Sequence, residues 1–407
     1  MNRYICIHGH FYQPPRENPW LEEIEVQDSS YPFKNWNERI TSECYAPNTS
    51  SRILDHDKII EIVNNYSKIS FNFGPTLLSW MERHSPQVYQ AILDADKESR
   101  KRFSGHGAAI AQVYNHIIMP LANERDKHTE VIWGIRDFEH RFKRKPEGMW
   151  LAETAVDIET LEVLAAHGIK FTILAPRQAM RVRRIGETEW HDVSGEKIDT
   201  RFPYLCELPS GANIALFFYD GMISRDLAFG ELAYNGENLA RRLHAVFGEE
   251  ESQPILAHVA TDGETYGHHH RHGDRALAYC LYFTEKNNLA KITIYAEHLR
   301  QHPPTNEVEI IENTSWSCYH GIERWRRNCG CNGGSPGWSQ VWRDPLRSGL
   351  DRLRDELIKI YEQHAGAFFT DPWRARNDYI EVILDRTLEN VERFLAQNVG
   401  RDLSPDE

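Results

Sequence analysis

The chain has 407 residues and a formal net charge of −13 at neutral pH. This length suits a large barrel with an additional module better than one small domain. The negative charge argues against nucleic acid as a partner, because phosphate binding needs a surface rich in Lys and Arg. It is compatible with a neutral substrate. Aromatic residues make up 11% of the chain, and such rings either fill a core or provide stacking platforms for sugars.

The N-terminal sequence MNRYICIHGH lacks a charged region followed by a long apolar run. It therefore predicts neither a signal peptide nor a membrane-spanning helix. The seven cysteines are an odd number and are mostly scattered, which suits a reducing cytoplasm better than a disulfide framework. We expect a cytoplasmic protein that is not attached to a membrane. The sequence leaves its oligomeric state open.

Short apolar runs alternate with longer amphipathic segments over the first two-thirds of the chain. The predicted strands are Tyr4–His8, Ile69–Phe73, Gly148–Glu153, Phe171–Ala175, Ile214–Tyr219, Ile255–Thr261 and Ile292–Tyr295. The predicted helices between them include Ser51–Tyr66, Pro86–Lys97, Lys127–Arg144, Asp157–His167, Glu237–Phe247 and Asp274–Lys286. Such alternation indicates a mostly parallel sheet with helices outside it. About seven strand–helix units favour a closed or nearly closed barrel over an open sheet.

The alternation stops near residue 300. The segment Ser315–Trp342 is rich in Gly, Cys, Trp and Arg without a clear period, which predicts a long loop. Two helices are predicted after it, Pro345–His364 and Pro372–Asn398, and the second has apolar residues at helical spacing. We therefore divide the chain into a catalytic barrel, residues 1–300, and a second part, residues 301–407. The second part would hold a loop covering the active site and a C-terminal helical region.

Several polar residues directly follow the apolar runs. His8 and His10 lie in and after the first run, and Glu153, Asp220 and Asp262 follow later ones. In parallel barrels the functional side chains gather at the C-terminal ends of the strands. These positions are therefore candidates for one common site.

Glu153 and Asp262 are our candidate catalytic pair. Glycoside cleavage with retention needs one ionised carboxylate to attack the anomeric carbon and one protonated carboxyl to release the leaving oxygen. Both acids end apolar runs, in GMWLAE and HVATD, and an acid there is costly unless it faces a cleft or is hydrogen-bonded. The structural alternative is a cap, in which Thr154 and Asp157 begin the next helix and Asp262 begins a turn.

The two histidines of HGHFYQPP are spaced i and i+2, so both rings lie on one face of a strand. Together with Asp262 or Asp220, His8 and His10 could bind a metal ion. A metal-dependent carbohydrate deacetylase is therefore one alternative function. A barrel that binds glucan without catalysis is another.

The run SCYHGIERWRRNCGC brings Cys318, His320, Cys329 and Cys331 close in sequence. Four such residues could bind zinc, although the Cys-x-Cys spacing is shorter than the usual two-residue gap. We favour instead a loop that carries Trp316, Arg324 and Trp325 to a sugar. We accordingly expect no metal and no cofactor.

Three motifs in order resemble those of glycoside hydrolase family 57. IHGHFYQP resembles the family's first motif, His-x-His-Gln-Pro, and GMWLAE resembles the third, Gly-x-Trp-Leu-x-Glu. TDGETYG resembles the fourth, Asp-x-Glu-x-Phe/Tyr-Gly. The resemblance covers roughly residues 4–345.

The resemblance implies an α/β fold, an incomplete (β/α)7 barrel followed by a C-terminal helical domain. It also implies a retaining glycoside hydrolase or transglycosidase that acts on α-1,4- or α-1,6-linked glucan, without a metal in the chemistry. Carried over by motif, Glu153 is the nucleophile and Asp262 the acid/base, with carboxyl groups about 5–6 Å apart as retention requires. His8, His10 and Trp150 would line the subsite of the reacting sugar. The further candidates for substrate binding are Gln13, His116, Asp220, Trp316, His320, Arg324 and Trp325.

This sequence departs from the family pattern at three places. Phe11 and Tyr12 are inserted between His10 and Gln13, and SGHGAAIAQ stands at the second motif without its usual Glu. The fifth motif is replaced by the Cys-rich loop. These departures are typical of a divergent branch, and the choice between hydrolysis, transfer and branching stays open.

Overall fold

Fourteen strands, numbered in chain order, occur in the part of the chain that the computed structural model describes, residues 2–56, 58–249, 252–331, 334 and 336–400. They are β1 (Arg3–Phe11), β2 (Ser51–Asp55), β3 (Lys58–Val63), β4 (Ser70–Phe73), β5 (Ala111–Gln112), β6 (Met149–Trp150), β7 (Phe171–Leu174), β8 (Ala179–Arg184), β9 (His191–Asp192), β10 (Pro203–Glu207), β11 (Asn213–Phe218), β12 (Ile255–Asp262), β13 (Lys291–Ile292) and β14 (Asn306–Ile310).

The α-helices lie between and after these strands. They are α1 (Trp36–Ile40), α2 (Ala46–Thr49), α3 (Pro75–His84), α4 (Pro86–Arg102), α5 (Glu124–Phe142), α6 (Ile158–Ala166), α7 (Gly221–Phe229), α8 (Gly236–His244), α9 (Gly273–Lys286), α10 (Tyr295–Gln301), α11 (Arg343–Ala365), α12 (Pro372–Asp378), α13 (Ile380–Leu384) and α14 (Leu388–Asn398). Several helices begin with residues that favour a helix N-terminus. Proline stands in the first turn of α3 and α4, and Asp157 caps α6 by accepting from the Thr160 amide.

The central strands form an incomplete parallel barrel. β1 pairs in parallel with β12 on one side and β4 on the other, β5 with β6, and β7 with β11. Parallel bridges Phe71–Ala109 and Gly148–Phe171 join the remaining neighbours. The order is therefore β11-β7-β6-β5-β4-β1-β12. The predicted α/β fold with an incomplete (β/α)7 barrel is confirmed.

The barrel is open between β11 and β12 because the free edge of β11 is taken by another strand. β10 pairs antiparallel with β11, and β14, β8 and β9 extend that sheet outward. At the opening, the Asp220 amide donates to the His258 carbonyl oxygen at 2.9 Å. β14 lies beyond residue 300, so the sheet continues past the predicted domain boundary.

β1 lies at the centre of the fold and positions the site. After Arg3 its residues are buried throughout, as expected for a parallel strand covered on both faces. Its register sets the Cα of His10 opposite Asp262 of β12 and Asn72 of β4. One strand therefore fixes three polar side chains at the same end of the barrel.

The helix predicted over Ser51–Tyr66 is wrong, since β2 and β3 form an antiparallel hairpin there. Ser51 and Ile53 are buried while Arg52 is exposed, a period of two rather than 3.6. The β-branched residues of KIIEIV favour a strand. The apolar residues fitted a helical period only because so many of them are adjacent.

Two other boundaries also differ from the predictions. The strand predicted over Ile292–Tyr295 is Lys291–Ile292, and Tyr295 begins α10. The helix predicted over Pro372–Asn398 is divided into α12, α13 and α14, and the break at Asp385 has an extended backbone. The segment predicted as a long loop does contain little regular structure besides a 3-10 helix, Gly321–Trp325.

The C-terminal helices pack on α5 of the barrel. Arg376 pairs with Asp126 at 2.7 Å, and the Trp133 indole donates to the Asn377 carbonyl oxygen at 3.0 Å. A small core of Ala375, Val382 and Phe394 holds them together. Among the described residues, no helix is both long enough and apolar enough to cross a membrane.

Candidate active site

Glu153 and Asp262 lie where two cavities meet at the C-terminal end of the barrel. Both side chains line a cavity of about 360 Å³ that is rich in histidine, and both line a second of about 560 Å³ that is rich in arginine and aromatic residues. Glu153 and Asp262 are the two residues that line both cavities. They therefore mark the place where the two cavities meet.

Glu153 has an unusual backbone conformation. Its φ of 57° and the φ of 50° at Thr154 place two consecutive non-glycine residues in the left-handed region, which costs free energy unless the surroundings impose it. The surroundings do so here: the Trp316 amide donates to the Glu153 carbonyl oxygen at 3.0 Å, and the Gln178 side chain donates to the Thr154 carbonyl oxygen at 2.8 Å. The turn directs the Glu153 side chain into the cleft.

The carboxylate of Glu153 is held by Trp316. The indole Nε1 donates to Glu153 Oε2 at 3.1 Å, which fixes the orientation of the carboxyl group. Trp316 is in turn fixed by Arg177, whose Nη2 donates to its carbonyl oxygen at 2.6 Å. The segment that carries Trp316 is joined to the barrel by a bridge between Thr314 and Val156.

The Asp262 carboxyl group has a raised pKa. Water reaches its side chain through the cleft, but protein surrounds the carboxyl group on most sides. Desolvation first, and the charge of Glu153 second, raise the pKa of Asp262 to about 6. A carboxyl group with a raised pKa beside a second acid is the setting of a proton donor.

A chain of hydrogen bonds connects the histidines of β1 with His116. Asn72 Nδ2 donates to His10 Nδ1 at 2.9 Å, while Asn72 Oδ1 lies 3.1 Å from His8 Nε2. His10 Nδ1 is then an acceptor, so its Nε2 carries the proton and donates to His116 Nε2 at 3.0 Å. By the same reasoning His8 donates from Nε2, and its Nδ1 accepts from the Ser70 hydroxyl at 3.0 Å.

Burial keeps these three imidazoles neutral. Desolvation lowers the pKa of His8 to about 3 and of His116 to about 4, and it lowers the pKa of His10 well below its usual range. Each therefore gives the cleft a fixed donor or acceptor without adding charge. The ring of Tyr12 stacks on His116 with centroids 3.7 Å apart, so the two-residue insertion extends this cluster.

The predicted substrate-binding residues fall into two groups. The first group lines the cavities, and its members are His10, Gln13, His116, Trp316 and Arg324. The second group lies outside both cavity walls, and its members are His8, Trp150, Asp220, His320 and Trp325.

Three residues of the second group have structural roles outside the cavity walls. His8 and Trp150 are fully buried, and Trp150 stacks against His10 with centroids 4.9 Å apart, so it supports the site from behind. Asp220 caps α7 by accepting from the Ile223 amide at 2.8 Å. A polar residue after a strand thus serves the next helix here rather than the cleft.

Glu264 is a site residue that the sequence analysis did not select. Its Oε1 accepts from the Tyr45 hydroxyl and from the Tyr12 amide, the latter at 3.1 Å. Burial raises its pKa to about 8, so it is neutral at pH 7 and faces Asp262 without a second negative charge. Its place two residues after Asp262 in TDGETYG was the available signal.

The second cavity contains further residues that the sequence did not indicate. The Arg177 guanidinium lies over the Tyr319 ring, 4.3 Å from its centroid, and Tyr219, Glu196 and Phe229 complete this side. Their positions follow no motif. Aromatic faces beside planar hydrogen-bond donors suit the apolar faces and hydroxyl edges of a sugar ring.

The donor set does not favour the metal site of a deacetylase. Both His8 nitrogens are engaged, by Ser70 and by Asn72, so this residue has no lone pair directed at an ion. His10 presents an N–H rather than a lone pair to His116. Metal ligands need convergent lone pairs, and these histidines use theirs within the hydrogen-bond chain.

Comparison with protein families gives two matches. The model described as glycosyl hydrolase family 57 matches residues 4–311, which is more than half of the chain, and one described as a domain of unknown function (DUF3536) matches residues 338–407. A curated relative, alpha-amylase 1 of Dictyoglomus thermophilum, is 22% identical over 199 residues, which cover 49% of this chain and 26% of the relative. The match thus spans about a quarter of that relative.

Solved structures share the fold at low identity. An exo-type maltose-forming amylase from Pyrococcus sp. ST04 has a TM-score of 0.69 and 18% identity, covering 100% of this chain and 70% of the other. A branching enzyme from Thermococcus kodakaraensis has a TM-score of 0.59 and 16% identity, with coverage of 97% and 88%. With the family match across the barrel and its cleft, the resemblance seen in the three motifs is confirmed, and the chain belongs to glycosyl hydrolase family 57.

Proposed function

We propose that this chain is a retaining glycoside hydrolase or transglycosidase of α-glucan, with Glu153 as nucleophile and Asp262 as acid/base. The observation that carries the proposal is the pairing of two acids in one cleft: the Trp316 indole donates to Glu153, and the pKa of Asp262 is raised to about 6. The names of the relatives, amylases and a branching enzyme, support α-glucan as the substrate.

The proposed mechanism has two displacements. In the first, a Glu153 carboxylate oxygen attacks the anomeric carbon while Asp262 gives its proton to the leaving glycosidic oxygen. The C–O bond to the leaving sugar breaks as the ester to Glu153 forms. In the second, Asp262 takes a proton from water or from an acceptor hydroxyl, whose oxygen displaces Glu153 and restores the starting anomeric configuration.

Formation of the ester also prepares Asp262 for the second step. Its raised pKa depends in part on the charge of Glu153, and that charge disappears in the glycosyl-enzyme. The pKa of Asp262 then falls, which suits the carboxylate for taking a proton. The same residue is thereby a proton donor before the ester forms and a proton acceptor afterwards.

Whether water or sugar accepts the glycosyl group depends on the walls around the anomeric carbon. We place the acceptor beside the larger cavity, where Trp316, Tyr319 and Arg324 offer stacking faces and hydrogen-bond donors. His10, His116 and Gln13 would hold the sugar in the smaller cavity.

All seven cysteines lie in the described part of the chain without disulfides, which supports a cytoplasmic setting.

Product analysis tests this function. We expect maltooligosaccharides to yield α-anomeric products first, detected by proton NMR before mutarotation, because two displacements restore configuration. Longer chains among the products would identify transfer, new α-1,6 links branching, and shorter chains alone hydrolysis. Formation of β-anomers first would contradict a Glu153 ester. Release of acetate from an acetylated sugar, with no glycosidic cleavage, would favour the deacetylase alternative.

Trp316→Phe is expected to lower kcat/KM about 10- to 100-fold, because it removes a hydrogen bond to a charged carboxylate while keeping an aromatic ring. The measurement is steady-state kinetics on maltoheptaose. Trp20→Phe is a suitable control, since that side chain is 90% exposed and outside both cavities. Unchanged kinetics in Trp316→Phe would show that the indole does not act on Glu153.

A further inference from the structure

Cys318, His320, Cys329 and Cys331 form a compact cluster that the proposed chemistry does not use. One potential ligand atom from each residue lies within 4.8 Å of all the others. Among the described residues, this is the one group of His, Cys, Asp or Glu side chains so arranged. The short Cys-x-Cys spacing of this loop favoured a covering loop without a metal. The folded loop overcomes that spacing by bringing the two pairs together.

The distances among Cys318, His320 and Cys331 match three edges of a tetrahedron around zinc, and Cys329 lies within 4.8 Å of each of these ligand atoms. Zn–S bonds of about 2.3 Å and Zn–N bonds of about 2.0–2.1 Å place two sulfurs about 3.8 Å apart and sulfur and nitrogen about 3.5 Å apart. Cys318 Sγ lies 3.7 Å from Cys331 Sγ, and His320 Nδ1 lies 3.8 Å and 3.7 Å from these two sulfurs. A disulfide would need about 2.05 Å, so the sulfurs stand at ligand distance and not at bonding distance.

The surroundings complement a zinc–thiolate centre. Three thiolates and one zinc ion carry a single net negative charge, and Arg343 Nη1 donates to Cys329 Sγ at 3.8 Å. The amide of Gly321 donates to the Cys318 carbonyl oxygen at 3.0 Å. Gly321 has φ 63°, and a Cβ there would lie 2.1 Å from the Asn313 carbonyl oxygen. The turn that carries the first two ligands, Cys318 and His320, is thus tightly constrained, as a preorganised site requires.

We propose that Cys318, His320, Cys329 and Cys331 bind one zinc ion in a closed, structural site. Four protein ligands leave no open position for a substrate or a water nucleophile. The site would act on the cleft through the chain: Trp316, which contacts Glu153, precedes Cys318 by two residues, and Tyr319 and Arg324 line the larger cavity. A metal cross-link supplies the rigidity that a segment with little regular structure otherwise lacks.

Metal analysis of the full chain tests the site without reference to activity. Protein purified from zinc-supplemented cells, under reducing conditions and without chelator, should contain about one zinc per chain by mass spectrometry. Cys318→Ser and Cys331→Ser should weaken zinc binding by at least about 100-fold in competition with a chromophoric chelator, because each removes a direct ligand. His320→Cys replaces the imidazole by a thiolate and should retain the metal. Cys206→Ala removes a cysteine of β10 and should also retain it.

Cobalt substitution tests the site in the wild-type protein, so the test does not depend on whether the variants fold. Wild-type protein reconstituted with Co²⁺ should show thiolate-to-cobalt charge transfer and the strong visible absorption of tetrahedral coordination. Absence of zinc and of these bands would overturn the proposal. So would zinc content that Cys331→Ser leaves unchanged, or a disulfide between Cys318 and Cys331 in protein trapped with a thiol-blocking reagent. Each outcome is independent of whether Glu153 and Asp262 cleave glucan.

Discussion

Glu153→Gln is expected to lower kcat/KM on maltooligosaccharides about 10⁴-fold or more, because an amide oxygen cannot form the glycosyl ester. Gln has the same shape as Glu and can still accept from the Trp316 indole through Oε1, so the loss reflects chemistry and not a collapsed site. Steady-state kinetics and thermal unfolding of both proteins are the measurements. We expect the unfolding temperature to change little.

A second variant at the same position identifies the role directly. Glu153 has φ 57°, a conformation that glycine adopts without strain. Glu153→Gly should therefore fold and leave room for a small anion. Azide added to this variant should restore turnover and give a glycosyl azide of β configuration, because it attacks the anomeric carbon directly from the side that Glu153 occupied.

Glu189→Gln is the matched control, since this glutamate is exposed and lies outside both cavities. It should behave as wild type. Retention of more than about a tenth of wild-type kcat/KM in Glu153→Gln would contradict the nucleophile assignment, because such a small loss corresponds to about 1.4 kcal/mol. An azide product of α configuration would also contradict it.

The parts of the fold that the sequence predicts are those with a strong local period. The strand predicted at Tyr4–His8 lies within β1, which is a continuously buried run. The helix predicted at Asp274–Lys286 matches α9 closely, because it is buried along a regular face. The segment KIIEIV of β3 has apolar residues at four of its six positions, in adjacent pairs. A run of this kind fits both periods, so only its pairing with β2 decides between them.

For the catalytic candidates, local sequence patterns could not show which polar residues face the cleft. Strand ends indicate Glu153, Asp262 and Asp220 equally, yet Asp220 caps α7. The decisive contacts are distant in sequence: Trp316 and Glu153 are 163 positions apart. No local pattern predicts such a pair, because it depends on where the loop after β14 returns to the barrel.

In the cysteine-rich loop, contacts distant in sequence create a candidate site that the local spacing did not favour. Its spacing suggested a poor metal site, because the Cys-x-Cys gap is shorter than the two-residue gap that is usual between zinc ligands. The 3-10 helix Gly321–Trp325 lies between His320 and Cys329, and the loop brings the two pairs of ligands together. Tertiary structure thus converts an unpromising pattern into four converging ligand atoms.

Asp262→Asn is expected to lower kcat/KM on maltooligosaccharides by about 10²–10⁴-fold, the usual contribution of a positioned general acid. Wild-type activity should fall as the pH rises through about 6, the value to which burial and Glu153 raise the pKa of Asp262. The sign follows from the first displacement, which needs the protonated carboxyl. We expect kcat/KM to be greatest on the acidic side of neutrality and the alkaline limb to be absent in the variant.

Substrates with different leaving groups separate this role from general damage to the site. Fluoride leaves with little help from an acid, so α-maltosyl fluoride should lose much less activity than maltoheptaose in Asp262→Asn. Azide should accelerate the variant by attacking the glycosyl-enzyme, and its product should have the α configuration, opposite to that from Glu153→Gly. Asp226→Asn, on the exposed side of α7, should keep the wild-type pH profile. Equal losses on both substrates, or an alkaline limb unchanged in Asp262→Asn, would place the proton donor on another residue. Glu264, a buried acid with a raised pKa that lines the same cavity, would then be the candidate.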